Sequence, residues 1–123
     1  MDKILLDTDV VINILKKREE TIAKINSLGD CEFYISTIVI AEIYAGAKES
    51  EISKIEQLFS YFITLDIVSD IGRIAGKYAK HYRAAFSGIS LEDYMIAATA
   101  KYHNLKLWTY NQKHYPMQDI EKI

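Results

Sequence analysis

The amino-acid sequence predicts an α/β fold with a parallel sheet of about four strands and helices on both faces. Short apolar or alternating segments typical of strands recur along the chain, and helical segments separate them. Such crossovers join parallel rather than antiparallel strands. The chain has 123 residues, half of them hydrophobic, so residues 1–123 are expected to form a single domain around one core.

The first predicted strand is Ile4-Leu5-Leu6, an apolar run typical of a strand buried on both faces. Asp7, Thr8 and Asp9 follow it, and apolar residues then return at helical spacing, which predicts a helix over residues 10–17. Asp7 therefore lies at the carboxyl end of a strand, the edge where open α/β sheets bind ligands. Thr8 or Asp9 could equally be a plain helix cap, so both interpretations stay open.

The next segments predict two helices around a second strand. Residues 19–28 form a helix because apolar positions recur every three residues and a glycine follows. Aromatic and branched side chains throughout residues 32–36 predict a strand. Ser36 or Thr37 then caps a helix through residues 38–47.

The second half of the chain continues the alternation. The predicted elements are a helix over 51–60, a strand over 62–65, helices over 69–85 and 91–103, and a strand over 105–110. Ser69 or Asp70 is expected to open the first of the last two helices, and Ser90 to cap the second. Residues 111–123 are expected to be loop with at most a short final element.

Composition and charge restrict the function. The net charge of −2 argues against a DNA-coating protein and leaves room for an enzyme with a local basic rim. Arg73, Lys77 and Lys80 lie on one helix face; a solvated face is the favoured interpretation and a phosphate-facing rim the alternative. A single cysteine, Cys31, excludes an internal disulfide, and no signal peptide or membrane segment is predicted, so a cytoplasmic location is expected.

Three carboxylates adjoin elements that should be buried: Asp7, Glu42 and Asp93. Glu42 is expected to project from an apolar helix face, where a bare charge is costly unless it is paired or binds a metal. Asp93 has the same character, although Ser90-Leu91-Glu92-Asp93 also has the form of a capping box. Helix starts that follow parallel strands meet at one sheet edge, so these acids are expected to share a pocket.

No lysine or arginine adjoins the three acids in the flanking sequence. An acid cluster without counter-charge is typical of a site for hard divalent cations, which prefer oxygen ligands. The chemistry that such a site favours is phosphodiester hydrolysis, in which the metal lowers the pKa of water and offsets developing charge.

Four motifs lie in a fixed order along the chain: Asp7-Thr8-Asp9, Ile40-Ala41-Glu42, Asp93-Tyr94-Met95-Ile96-Ala97-Ala98-Thr99-Ala100 and Thr109-Tyr110-Asn111. By these motifs the chain resembles the PIN-domain ribonucleases, most closely the small VapC-type toxins of toxin–antitoxin modules, over a region from Ile4 to about Tyr115.

The resemblance implies an α/β/α sandwich, a Mg²⁺- or Mn²⁺-dependent endoribonuclease that acts on RNA, a homodimer and a cognate antitoxin. It places Asp7 and Asp93 as catalytic metal ligands, and Glu42 as the catalytic acid that completes the cluster or orients the attacking water. Asn111 matches a residue at the edge of the site, where it would contact substrate.

One position departs from the family pattern. His114 stands where the family often has a fourth acid, which weakens the case for a fully occupied second metal position. His114 is open to three interpretations: a substrate-phosphate contact, action through a water, or an ordinary surface residue. Glu92 or Asp9 could supply the missing oxygen. Most of the nine tyrosines are expected in the core or a dimer interface, and none is assigned to substrate.

Two rival functions stay open. A non-catalytic binding module could keep the fold without cleavage, a possibility raised by His114. An aspartate-based phosphotransfer domain, such as a receiver-like fold or a small phosphatase, would also need an acid at a strand end. The receiver interpretation expects a lysine just after a late strand, and Lys113 is a poor candidate for it.

Overall fold

The structure is a computed structural model that describes residues 1–123. Six helices flank a central parallel sheet of four strands. In chain order the elements are β1 (Asp2–Leu6), α1 (Thr8–Leu15), α2 (Glu19–Leu28), β2 (Cys31–Ser36), α3 (Thr37–Gly46), α4 (Ile52–Phe59), β3 (Ile63–Leu65), α5 (Ser69–Tyr82), α6 (Leu91–His103) and β4 (Lys106–Trp108). Single 3₁₀ turns lie at Glu49–Glu51 and Gln112–His114. The predicted α/β class and four-stranded parallel sheet are confirmed.

The strand order is β3-β2-β1-β4, with every neighbouring pair parallel. Leu5 of β1 pairs with Tyr34 of β2 on one side and Leu107 of β4 on the other. β1 is therefore central, and Ile4, Leu5 and Leu6 are fully buried, as their unbroken apolar run predicts. All four strands end at the same edge of the sheet, and Asp7 follows directly from the central one.

Helix α1 is capped by Asp7, whose carboxylate accepts a hydrogen bond from the Thr8 amide at 2.8 Å. The prediction that Thr8 or Asp9 fills this role is wrong. Asp7 is still extended (φ −74°, ψ 162°), whereas Thr8 is already the first helical residue. An N-cap residue keeps extended dihedrals and accepts from an orphan helix amide, so the strand-end acid meets both conditions itself.

Helix α5 begins without a side-chain cap. Ser69 is its first residue, as predicted, but the N-cap is Val68, and the Asp70 carboxylate accepts from Arg73 at 2.9 Å instead of from a backbone amide. This ion pair is exposed at both ends, and Lys77 and Lys80 are exposed on the same helix. The charged face is exposed, which agrees with a solvated face and with a phosphate-facing rim alike.

Strand β4 ends at Trp108, earlier than predicted, because the chain turns toward the sheet edge at the next residue. The backbone amide of Tyr110 donates to the Asp9 carboxylate at 3.1 Å rather than to a strand.

The final segment is more regular than a loop. Lys122 forms a parallel bridge with Leu107, supported by bonds from the Leu107 amide to the Glu121 carbonyl (2.8 Å) and from the Ile123 amide to the Leu107 carbonyl (2.9 Å). Residues 121–123 therefore line the outer edge of β4.

One buried cluster of 24 hydrophobic residues fills the space between the sheet and its helices. Cys31 is half-buried at the start of β2, without a disulfide partner. None of the helices combines the length and apolar character that crossing a membrane requires.

A substitution at Lys17 can test whether the turn that follows α1 is strained. It holds a left-handed conformation (φ 54°), whereas its neighbour Lys16 is right-handed (φ −83°). We expect Lys17→Gly to raise the free energy of unfolding by about 0.5–1 kcal/mol, because glycine relieves the left-handed strain. The matched variant Lys16→Gly should lower it by about 0.5 kcal/mol, because it only adds backbone freedom to the unfolded chain. Urea denaturation of both variants measures the difference, and effects of the same sign would contradict the assignment.

Candidate active site

Asp7 is the most buried acid of the site, with 6% of its surface exposed. Its Oδ1 accepts from the Thr8 amide at 2.8 Å, and its Oδ2 accepts from the Thr109 hydroxyl at 2.8 Å and the Tyr115 hydroxyl at 3.0 Å. Burial raises the pKa of Asp7 above its usual value, while these bonds oppose the rise. The three hydrogen bonds thus fix the orientation of the Asp7 carboxylate, and burial removes most of the water that would solvate its charge.

Asp93 belongs both to a helix cap and to the site. The Ser90 amide donates to its Oδ2 at 3.2 Å, and the Ser90 hydroxyl accepts from the Asp93 amide, which completes the capping box. The same carboxylate also accepts from the Tyr115 hydroxyl at Oδ1 (3.3 Å) and contacts His114 Nδ1 at Oδ2 (3.0 Å). The predicted capping box is confirmed, and it leaves Asp93 in contact with the other residues of the candidate site.

Tyr115 contacts both acids, although no sequence motif assigns it to the site. Its side chain is 1% exposed, and its hydroxyl lies within hydrogen-bond distance of both Asp7 and Asp93. Burial and the two neighbouring carboxylates raise the pKa of the Tyr115 phenol far above 10, so the hydroxyl stays a neutral donor. The sequence feature that could have indicated a place for Tyr115 in the site is its position directly after His114.

Asp9 adds a second partly buried carboxylate beside Asp7. Its Oδ2 accepts from the Tyr110 amide at 3.1 Å, whereas its Oδ1 is buried without any hydrogen-bond partner. Burial, with the nearby charge of Asp7 as the next cause, raises the pKa of Asp9 to about 6. A buried carboxylate oxygen without a partner is costly, and a bound cation would offset that cost.

Glu42 does not lie where its sequence neighbours predict. It is exposed rather than buried on an apolar face, and the Thr8 hydroxyl donates to its Oε1 at 3.1 Å. The prediction failed because α3 turns this face toward the open sheet edge instead of into a packed layer. Partial loss of water raises the pKa of Glu42, and the charges of Asp7 and Asp93 add to the rise. Thr8 thus links Glu42 to Asp7, and the three predicted acids share one region.

His114 and Asn111 sit at the rim of this region. His114 is half-buried, and its Nδ1 lies 3.0 Å from Asp93 Oδ2 and 2.9 Å from Asn111 Nδ2. Since Nδ1 carries either a proton or a lone pair, it can donate to Asp93 or accept from Asn111, but not both. His114 is therefore not a fully exposed side chain, because it contacts one of the predicted acids. Glu92, the other acid considered for the missing oxygen, is exposed on the first turn of α6.

The electrostatics of the site suit a divalent cation. No lysine or arginine forms an ion pair with Asp7, Asp9, Glu42 or Asp93. No group of three potential ligands converges closely enough in the present arrangement to hold an ion without rearrangement. The donors are nonetheless oxygen-rich, mutually repelling and partly dehydrated, and they include the unpartnered oxygen of Asp9. That chemistry fits a hard cation such as Mg²⁺ or Mn²⁺.

Comparison with known proteins gives one consistent picture. Residues 4–119 match the family model described as PIN domain. The chain is 35% identical over 116 residues to ribonuclease VapC19 of Mycobacterium tuberculosis, covering 92% of each chain. Its fold is similar to a toxin–antitoxin complex from Klebsiella pneumoniae, with a TM-score of 0.80, 26% identity and coverage of 94% of this chain and 93% of that one. A VapBC2 structure from Rickettsia felis, bound to a promoter DNA fragment, shares the fold at a TM-score of 0.86 and 22% identity, over 98% and 97% of the two chains.

The buried Asp9 carboxylate gives a prediction of pH dependence. Its folded-state pKa of about 6 lies above the ordinary 3.8, so its contribution to stability is present below pH 4 and is lost as the pH rises through 6. We therefore expect Asp9→Asn to raise the free energy of unfolding at pH 7.5 by about 1 kcal/mol, a value reduced for the partial exposure of the group. The gain should vanish near pH 4.

Urea denaturation in EDTA at several pH values measures this difference. Asp66→Asn is the matched control, because Asp66 is exposed, and it should change stability by less than about 0.5 kcal/mol at either pH. A constant effect of Asp9→Asn across the pH range would show that its charge is not the cause.

Proposed function

The chain belongs to the PIN-domain family, and from that premise we propose that it is a metal-dependent endoribonuclease, the toxin of a toxin–antitoxin module. The observation that carries the proposal is the hydroxyl of Tyr115, which brings Asp7 and Asp93 together from distant parts of the chain. The ribonuclease name of its M. tuberculosis relative supports cleavage of RNA, and the similarity to the K. pneumoniae complex supports an antitoxin partner.

Asp7 and Asp93 would hold the cation, and the unpartnered Oδ1 of Asp9 would be a source of a further oxygen. A bound Mg²⁺ or Mn²⁺ supplies positive charge, which lowers the pKa of water and offsets the negative charge that develops on the scissile phosphate. The protein contributes orientation. Thr109 and the Thr8 amide fix the two oxygens of Asp7, so that carboxylate does not have to reorganise when it meets a charged ligand.

Glu42 is suited to work on the attacking water. Its Oε1 accepts from the Thr8 hydroxyl, no protein group is hydrogen-bonded to its Oε2, and the residue is exposed. The raised pKa of Glu42 makes it a stronger base than an ordinary glutamate once it is ionised. Glu42 would therefore orient the water and accept its proton.

His114 and Asn111 are proposed to face the substrate. With Asp93 ionised, His114 Nδ1 donates to that carboxylate and Nε2 is left without a protein partner. Nε2 is then free to reach a phosphate oxygen through a bound water. The amide of Asn111 lies beside the same ring, 2.9 Å from Nδ1, and would contact the same part of the substrate. In this arrangement the histidine replaces a fourth acid as a contact to RNA rather than as a metal ligand.

A homodimer is part of the same proposal. Tyr61, Leu91 and Phe86 are large side chains with 76%, 55% and 42% of their surfaces exposed, which leaves apolar area for an interface. Sedimentation of the protein alone and with its antitoxin distinguishes a dimer from a monomer.

Asp7→Asn gives the direct test of the catalytic assignment. We expect it to lower RNA cleavage by at least about 100-fold, because it removes the charge that holds the cation while leaving the side chain nearly isosteric. Cleavage of a labelled RNA and a thermal unfolding curve are measured on the same preparation. Asp66→Asn, an exposed acid outside the site, is the control and should keep full activity. Cleavage by a well-folded Asp7→Asn protein would defeat the assignment.

Metal removal separates the proposal from its rivals. Cleavage should cease in EDTA and return with excess Mn²⁺ or Mg²⁺. The reason is that the cation lowers the pKa of the attacking water and offsets the charge on the phosphate. A folded wild-type protein that binds RNA but never cleaves it would favour the binding module. Stable labelling of Asp7 by a small phosphoryl donor would favour the phosphotransfer domain instead.

A further inference from the structure

Lys122 makes an unusual set of contacts for a lysine close to the surface. Its ammonium donates to two backbone carbonyls, those of Tyr115 at 3.0 Å and Met117 at 2.7 Å. It forms no ion pair with any carboxylate. Hydrogen bonds from an ionised donor are shorter and about twice as strong as neutral ones, so Lys122 clamps the backbone on both sides of Pro116.

The clamp is anchored to the sheet that carries the site. Lys122 bridges Leu107 of β4, with backbone bonds on either side of it. Strand β4 pairs with β1, and these two strands lead directly to Thr109 and Asp7. The backbone of Tyr115 is therefore tied to the same two strands that position the main acid.

Tyr115 depends on this support because its ring reaches into the site from an irregular segment. Its hydroxyl is the only side-chain donor that contacts both Asp7 and Asp93. The segment around it contributes few regular backbone bonds: Tyr115 is held locally by its amide to the Gln112 carbonyl (2.9 Å). The Lys122 ammonium supplies the fixed points that the segment lacks, while the buried side chain of Met117 adds packing.

We infer that Lys122 is a positioning residue of the active site: by holding the Tyr115 and Met117 carbonyls, it keeps the Tyr115 hydroxyl between Asp7 and Asp93, and so sets the geometry in which those acids bind a divalent cation. The inference rests on the proposed metal-dependent function and deepens it. Lys122 itself touches neither acid, and it acts only through Tyr115.

The expected effects follow from a chain of contacts in which Lys122 holds the backbone of Tyr115 and the Tyr115 hydroxyl contacts the acids. Groups that orient metal ligands change affinity by about 10–100-fold when removed. Tyr115→Phe removes only the bridging hydroxyl and should weaken Mn²⁺ binding by about tenfold. Lys122→Met removes the support for that hydroxyl and should weaken binding by about 3–10-fold, while Lys122→Arg, which can still donate to two carbonyls, should restore most of the affinity.

The experiment is a double-mutant cycle on the full chain, with Mn²⁺ affinity by calorimetry as the readout. Wild type, Lys122→Met, Tyr115→Phe and the double variant are compared at one pH, with thermal unfolding recorded for each. If Lys122 acts through Tyr115, Lys122→Met should have almost no further effect on affinity in the Tyr115→Phe background. Lys122→Gln, whose uncharged amide can still donate, replaces Lys122→Met should the latter not fold, with a smaller loss expected.

Lys106→Met is the matched control. Lys106 lies on β4 and pairs with Asp2 (3.3 Å) and Glu121 (3.5 Å), so its loss loosens the same final segment without touching the Tyr115 carbonyl. It should leave Mn²⁺ affinity unchanged.

Three results would overturn the inference. The first is a folded Lys122→Met protein with wild-type affinity, and the second is additive losses in the double variant. The third is an equal loss in Lys106→Met, which would reduce Lys122 to a general stabiliser of the segment. Wild-type protein whose Mn²⁺ binding is absent, or insensitive to Asp7→Asn, would instead overturn the proposed metal site and this inference with it.

Discussion

Two carboxylates held next to one hydroxyl, in a place where water is scarce, are the constraint on which the rest of the site depends. Asp7 and Asp93 repel each other, and burial disfavours the charge of Asp7. The Tyr115 hydroxyl carries one proton, which it can share between the two acids but cannot give up. The protein alone therefore compensates the pair only in part. The proposed cation would supply the positive charge that the pair lacks.

Much of the fold was predictable because its causes are local. The apolar run Ile4-Leu5-Leu6 identified the central strand, and Ser90 identified the start of α6, since a buried strand and a capping box are both visible within a few residues. The same locality explains the errors at element ends. At α1 the strand-end acid and the cap are one residue, Asp7, and a pattern that assigns each role to a separate position misses this.

The sequence predicted which acids lie in the candidate site, but not the residue whose hydroxyl contacts them. Parallel topology brings strand ends together, so Asp7 and Asp93 could be placed in one region from the order of elements alone. The position of Tyr115 could not, because it depends on contacts between residues more than 100 positions apart, such as the bond to Asp7. Glu42 shows the opposite failure: helical periodicity reports the neighbours on the same helix, and it says nothing about whether another layer covers that face.

Asp93 explains why a capping motif and a functional site need not be competing interpretations. The capping box fixes the side-chain conformation of Asp93 through the Ser90 amide, which leaves Oδ1 for Tyr115. The helix that the cap stabilises thereby also orients the acid, without any residue devoted only to that task. A substitution at Asp93 consequently changes helix α6 and the site together. The Tyr115 hydroxyl has no such second role, so its removal reports on the site alone.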